Sequence, residues 1–221
     1  MVRTTATTDA EDRPAAVLAA VVDGKADIET VARAAERCRA CDLWAHATQT
    51  VFGNGPTPTR WMLVGEQPGD REDLEGEPFV GPAGRLLDTA LSEAGIDREA
   101  VFVTNVVKHF KWRPAPTGKR RLHERPNRTE VGACLPWVES ELALVRPEAL
   151  VLLGATAAQA LLGDDVRVTR DHGKPIKSSL APLVLVTIHP SAVLRARGKD
   201  ARAAAMAGLI ADLRVAAKAP D

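Results

Sequence analysis

Four short, almost uninterrupted apolar runs punctuate the chain: WMLVGE at 61–66, VFVTNVV at 101–107, ALVLLG at 149–154 and LVLVTI at 183–188. Runs of this length without polar alternation suit strands buried on both faces, as in a parallel sheet. Between and after them, apolar residues recur at helical spacing over 81–96, 128–145, 155–162 and 200–218. Thr129 stands where an N-cap of the second of these helices is expected. Ahead of the first strand, an Ala- and Val-rich stretch broken at Gly24 predicts two short helices within 15–38, and FGNGPTPT at 52–59 is rich in turn residues. Residues 1–13 are polar and Thr-rich and are expected to form a disordered tail. Strands alternating with helices predict an α/β fold: a three-layer α/β/α sandwich around a mainly parallel four-stranded sheet, formed by 14–221 as one domain. There are no internal repeats.

Composition adds limits. The 221 residues are 45% hydrophobic and 26% charged, a globular balance, with 29 basic against 29 acidic side chains. A formal net charge of zero means that any polyanionic partner must be met by local charge. No apolar run has membrane-spanning length and no signal peptide opens the chain, so a cytoplasmic protein is expected; a monomer is expected as well. Three cysteines are too few and too odd for a disulfide framework. Cys38 and Cys41 form a Cys-x-x-Cys pair, which in a reducing compartment favours metal or redox chemistry; Cys134 lies far downstream.

The first and last strands each end in a compact turn. Gly65-Glu66-Gln67-Pro68-Gly69 follows the first, its glycines letting backbone amides approach a ligand and its Glu66 supplying a carboxylate. His189-Pro190-Ser191 follows the last. Taken alone, the first reads more readily as an ordinary strand-to-helix turn, and the second as a strand-end histidine with Ser191 helping to cap the next element. Both lie on one edge of a parallel sheet, where ligands of such folds bind.

These two turns, together with FVGPAGRLLD at 79–88, TNVVK at 104–108 and the longer HPSAVLR at 189–195, resemble the uracil-DNA glycosylases of the iron–sulfur (family 4) type, over about 38–214. The resemblance implies a uracil flipped out of DNA into a pocket, with Phe79 stacked on the ring and the Asn105 amide reading its O4 and N3–H. It also implies substrate contacts from Gly65, Gln67, Gly69, Lys108 and Ser191, with Asp70 and Asp73 of lower rank. Cytosine presents the opposite pattern to Asn105 and would leave buried groups unpaired. As the glycosidic bond breaks, a carboxylate such as Glu66 stabilises the oxocarbenium-like sugar, and His189 stabilises the uracil anion at O2. The substrate implied is uracil-containing DNA, single- or double-stranded.

The same resemblance implies four ligands for a [4Fe–4S] cluster. Cys38, Cys41 and Cys134 occupy three of those places, and His109 stands where the family has its fourth cysteine. Histidine is a known ligand of some iron–sulfur centres, so a Cys3His cluster with a structural role is expected. A Cys3His zinc site, or a three-cysteine cluster with His109 near the substrate, remain alternatives.

Between His109 and Thr129 runs FKWRPAPTGKRRLHERPNR, whose prolines and Gly118 argue against a helix and for a basic loop. Its core, Lys119-Arg120-Arg121-Leu122-His123, resembles the Lys-Arg-Arg-aliphatic-His mark of the UdgX subgroup. That likeness implies that His123 attacks sugar C1′ after uracil departs and leaves the protein covalently joined to DNA. Glu66 would accept or orient the imidazole proton, and Arg121 would hold the loop. The residues alone equally allow His123 to contact phosphate or to cap the loop. A conventional multiple-turnover glycosylase, a non-catalytic binder of uracil-DNA and a cluster-bearing redox regulator are the rival functions.

Overall fold

A computed structural model describes residues 13–116, 118 and 120–219. The tail expected at 1–13 lies outside them except for Arg13, as does Lys119 of the basic run. The four apolar runs form β1 (Trp61–Gly65), β2 (Val101–Asn105), β5 (Ala149–Leu153) and β6 (Leu183–Thr187), all parallel, in the spatial order β2-β1-β5-β6. Nearly every residue in them is buried, because alternate side chains feed two cores rather than one core and solvent.

Met62, Val64, Phe102, Leu150, Leu152, Val184 and Val186 face one core. There they meet α1 (Pro14–Val22), α2 (Ile28–Glu36), α5 (Arg128–Val145) and α6 (Ala155–Leu162). Leu63, Val103, Val151, Leu153 and Leu185 face the other, against α4 (Pro82–Ala94), α8 (Pro190–Arg195) and α9 (Lys199–Ala216). The chain is thus a three-layer α/β/α sandwich. Two short helices, α3 (Asp70–Glu75) and α7 (Val168–Asp171), complete it. Among the described residues no helix is long and apolar enough to cross a membrane.

Two local expectations are corrected. The N-cap of α5 is Asn127, not Thr129: its side chain accepts from the Glu130 amide at 2.9 Å while Glu130 accepts from the Asn127 amide at 2.7 Å. That reciprocal box satisfies two otherwise orphaned donors, which a cap two residues later could not do. The basic insertion is not an irregular loop. Trp112–Pro114 (β3) and Arg121–His123 (β4) pair as an antiparallel ribbon, with Trp112 opposite His123. Pro114 is tolerated because, among the described residues, β3 and β4 form a two-stranded ribbon in which each strand is an edge.

Candidate active site

The carboxyl ends of all four parallel strands open into one cleft of about 760 Å³. β1 has β2 on one side and β5 on the other, so the chain reverses its direction of sheet growth here, and the crevice lies where such folds bind ligands. Glu66, Gln67 and Gly69 line it after β1, Asn105 at the end of β2, Gly154 and Thr156 after β5, and His189 and Ser191 after β6. Phe79 comes from the turn before α4, and His123 and Arg125 come from the ribbon and its exit.

Phe79 has φ 61°, a left-handed backbone unusual for an aromatic residue. Gly84 allows it: a Cβ there would lie 1.5 Å from the Phe79 carbonyl oxygen. A Cβ on Gly65 would in turn meet Asn105 Oδ1 at 2.3 Å and the Phe79 ring at 2.8 Å. The two glycines therefore bring aromatic ring and amide together at the floor of the cleft. Asn105 is only 2% exposed, and its Oδ1 has no hydrogen-bond partner. A buried acceptor left so is costly unless something enters to meet it.

His189 forms the N-cap of α8. Its Nδ1 accepts from the Ser191 amide at 3.1 Å, and the Ser191 hydroxyl lies 2.8 Å from the same nitrogen. Arg195 Nη1 donates to that hydroxyl at 2.8 Å. With Nδ1 committed as acceptor, the neutral ring carries its proton on Nε2. Burial, then the nearby Arg195 and His123, push its pKa down to about 4, so the ring is neutral at physiological pH. Phe79 stacks on it, with ring centroids 6.0 Å apart.

The Glu66 carboxylate accepts from the Thr156 hydroxyl and lies 3.7 Å from Arg125 Nε and 3.5 Å from His123 Nε2. Burial lowers the His123 pKa, against the opposing pull of Glu66 and with a further push from Arg195. Gln67 holds the ring in place. Its Oε1 accepts from the Lys111 amide at 3.0 Å, so its NH₂ end faces His123 Nε2 at 2.9 Å. The amide's two hydrogens also face the Lys111 and Glu124 carbonyls, at 3.2 Å and 3.0 Å.

Arg121 ties the ribbon to α3, donating to Asp70 Oδ1 at 2.6 Å and to the buried Asp73 Oδ2 at 2.5 Å. Its guanidinium also lies over the rings of Phe110 and Trp112. Asp70 and Asp73 do not line the cleft; they anchor Arg121. Lys108 is likewise displaced from the role expected of it. Its ammonium is 1% exposed and turns away from the cleft onto Glu141, at 2.6 Å. The chain turns inward after Asn105, and a buried carboxylate 33 residues downstream captures the cation. Thr156, Arg125 and Arg195 are cleft residues that the sequence alone does not single out. Arg125 stands inside the basic run and Arg195 ends HPSAVLR, whereas nothing local marks Thr156.

Cys38, Cys41 and Cys134 share one apolar neighbourhood: burial raises the Cys41 thiol pKa with Cys38 adding to it, and Cys38 and Cys41 add to the rise at Cys134. Burial pushes Cys134 up to about 12. Trp137 Nε1 donates to Cys38 Sγ at 3.3 Å, and the Lys108 amide donates to Cys134 Sγ at 3.2 Å. Soft donors carrying N–H···S hydrogen bonds fit an iron–sulfur cluster. Among the described residues no three His, Cys, Asp or Glu side chains converge closely enough for one metal ion. A cluster holds its ligands further apart than a single ion does. His109 is 4% exposed, with Nε2 3.0 Å from the Thr50 hydroxyl, and burial lowers its pKa to about 4, leaving the neutral form that ligates metals.

Comparison with known proteins agrees with this geometry. Residues 52–214 match the family model described as the uracil DNA glycosylase superfamily. The chain is 39% identical to a type-4 uracil-DNA glycosylase of Thermotoga maritima over 176 residues, 79% of this chain and 87% of the relative. It is 37% identical to that of Pyrobaculum aerophilum, over 76% of this chain and 85% of the relative. For that of Archaeoglobus fulgidus the figures are 36%, 76% and 83%. With one family spanning most of the chain and the matched segment carrying the cleft, this protein belongs to the uracil-DNA glycosylase superfamily, alongside its type-4 members.

Proposed function

We propose that this chain removes uracil from DNA and then joins itself to the exposed sugar through His123. The observation that carries the reading is that His123 lines the same cleft as Phe79, Asn105 and His189, its Nε2 beside Glu66. A uracil flipped from the stack enters the cleft, stacks on Phe79 and gives Asn105 Oδ1 the N3–H donor it lacks. The C1′–N1 bond breaks with its electron pair on the base. His189 Nε2–H donates to O2 of the resulting anion, and Glu66 faces the sugar cation.

The His123 Nε2 lone pair then bonds C1′, Nδ1 gives its proton to solvent, and the uracil anion takes one up. Proximity puts the imidazole ahead of water. The N-glycosyl imidazole has no easy hydrolytic exit, so the enzyme turns over once. Arg125 and Arg195 at the cleft, with the exposed Arg120, supply the local positive charge for phosphates, and binding weakens as salt rises. Cys38, Cys41, Cys134 and His109 would hold a [4Fe–4S] cluster. When bound it supplies a structural brace, since excision moves no electron.

Incubation with a uracil-containing single-stranded oligonucleotide tests this, followed by assay of free uracil and mass spectrometry of the protein. Free uracil with an equimolar adduct on the His123 peptide is expected. Free uracil beyond one equivalent without adduct establishes conventional turnover, and tight binding without uracil release establishes a binding protein.

A further inference from the structure

We infer that the buried Lys108–Glu141 pair positions Asn105, so that recognition of uracil depends on two residues that never touch the base; this rests on Asn105 being the base-reading group proposed above. Lys108 and Glu141 are 1% and 0% exposed, and their Nζ···Oε2 distance is 2.6 Å. The ammonium has three hydrogens, and all three are used at one place. Besides Glu141 they go to the Asn105 carbonyl at 2.8 Å and the Thr104 hydroxyl at 2.6 Å. Glu141 in turn accepts the Thr104 hydroxyl, at 2.9 Å and 3.0 Å to its two oxygens, and the Gly53 amide at 2.9 Å.

A buried ion pair gives little stability over a hydrophobic pair of the same size. What this one gives is location. The ladder of β2 with β1 ends at the pair Gly65–Asn105; the Val106 and Val107 amides still donate to the Gly65 and Glu66 carbonyls at 3.0 Å each, and the chain then turns inward at Lys108. The last two residues of the strand, Thr104 and Asn105, are the ones Lys108 grips. Lys108 is itself fixed by its own backbone: its amide donates to Cys134 Sγ at 3.2 Å, and its carbonyl accepts the Val51 amide at 2.8 Å. Helix α5, the segment before β1 and the end of β2 thus converge on one side chain. From below, that side chain sets the carbonyl of the residue whose Oδ1 waits in the cleft. Reading a base by paired donor and acceptor tolerates little displacement, because a misplaced amide meets uracil no better than cytosine. Lys108 and Glu141 are positioning residues.

The double variant Lys108→Met, Glu141→Leu removes the grip while filling the same space. Its melting temperature, its affinity for DNA carrying a stable abasic-site analogue, its single-turnover excision rate and its inhibition by free uracil are compared with those of the unaltered chain. A lower melting temperature is expected, because the Gly53 amide and Thr104 hydroxyl lose their buried partners; abasic-DNA affinity should stay within about twofold, with excision and free-uracil affinity each down about a hundredfold. A merely structural role would lower DNA affinity along with excision. A folded double variant that excises at the original rate overturns the inference. Should it fail to fold, Thr104→Val decides, removing one hydroxyl at nearly constant volume: about a tenfold slower excision in a folded protein of somewhat lower melting temperature is expected, and an unchanged rate overturns the inference. If the unaltered chain releases no uracil, the functional reading falls instead. The positioning is then judged by the Asn105 side-chain amide resonances, which must shift in the double variant, or in Thr104→Val where that is the folded one, and which overturn it by staying in place.

Discussion

Asn105 and His123 face the same cleft but are held there in opposite ways. Asn105 ends a central-layer strand; its backbone is laddered to β1 and gripped from inside by a buried ammonium. His123 ends one strand of a two-stranded ribbon, which clings to the body through Arg121, Gln67 and aromatic contacts. The first arrangement fixes a group before any ligand arrives. The second leaves a half-exposed group on an element that two strands alone would barely stabilise in water. The base reading and sugar capture proposed for these two residues would thus rest on separable parts, and loosening the ribbon should spare base reading.

The sharpest break is His123→Ser. No heat-stable protein–DNA band should form on a denaturing gel, while uracil release in the first turnover continues. A band that survives means another nucleophile. Asn105→Ala should act from the other side, lowering single-turnover excision on the order of a hundred- to a thousandfold. Adduct formation should fall in step, because without the sugar cation there is nothing to trap; adduct forming at the original rate would uncouple the two. Arg121→Met loosens only the ribbon. Adduct formation measured by quenched gel assays should slow by about ten- to a hundredfold, with excision nearly unchanged and a stability loss of about 1–3 kcal/mol from the buried Asp73 it deserts.

Proton activity gives the smallest effect. Both His123 and His189 have pKa values below the ordinary 6.5. The ratio of adduct to released uracil should therefore stay flat from about pH 8 to about pH 6.5. At lower pH the unfolded chain protonates His189 near 6.5 and the folded chain only near 4, so stability is lost as pH falls through that window. Thermal melting should register on the order of 1–2 kcal/mol by about pH 5.

The four strands are legible in the sequence for a physical reason. Burial on both faces leaves an apolar run with no alternation, which little else of that length produces. Helices α4, α5, α6 and α9 are legible through their spacing, whereas α3, α7 and α8, at six, four and six residues, are too short to show a period. In the site, Glu66, Asn105 and His189 are marked by standing at strand ends. Lys108 stands in the same kind of place and so reads as a substrate contact, because nothing near it in sequence announces Glu141. The ribbon is hidden for a similar reason: Pro114 and Pro116 speak locally against a strand, and only pairing with 121–123 overrides them. The His189 cap shows the limit most plainly. The motif places a histidine, a proline and a serine in order, but which of them caps α8, and so which ring nitrogen holds the proton, is settled by geometry.

At the foot of the ribbon the chain leaves at Lys111 and returns at Glu124, whose amide donates to the Lys111 carbonyl at 3.0 Å. Gln67 clasps both residues, accepting from the Lys111 amide at 3.0 Å and donating to the Lys111 and Glu124 carbonyls at 3.2 Å and 3.0 Å. Entry and exit are thus already stitched together, so residues 112–123 form a cassette whose length can change without moving β2 or α5. Loops closed at the base gain or lose residues at little entropic cost. The self-attachment proposed for His123 would accordingly be portable, open to gain or loss by editing this short segment while the sheet stayed intact.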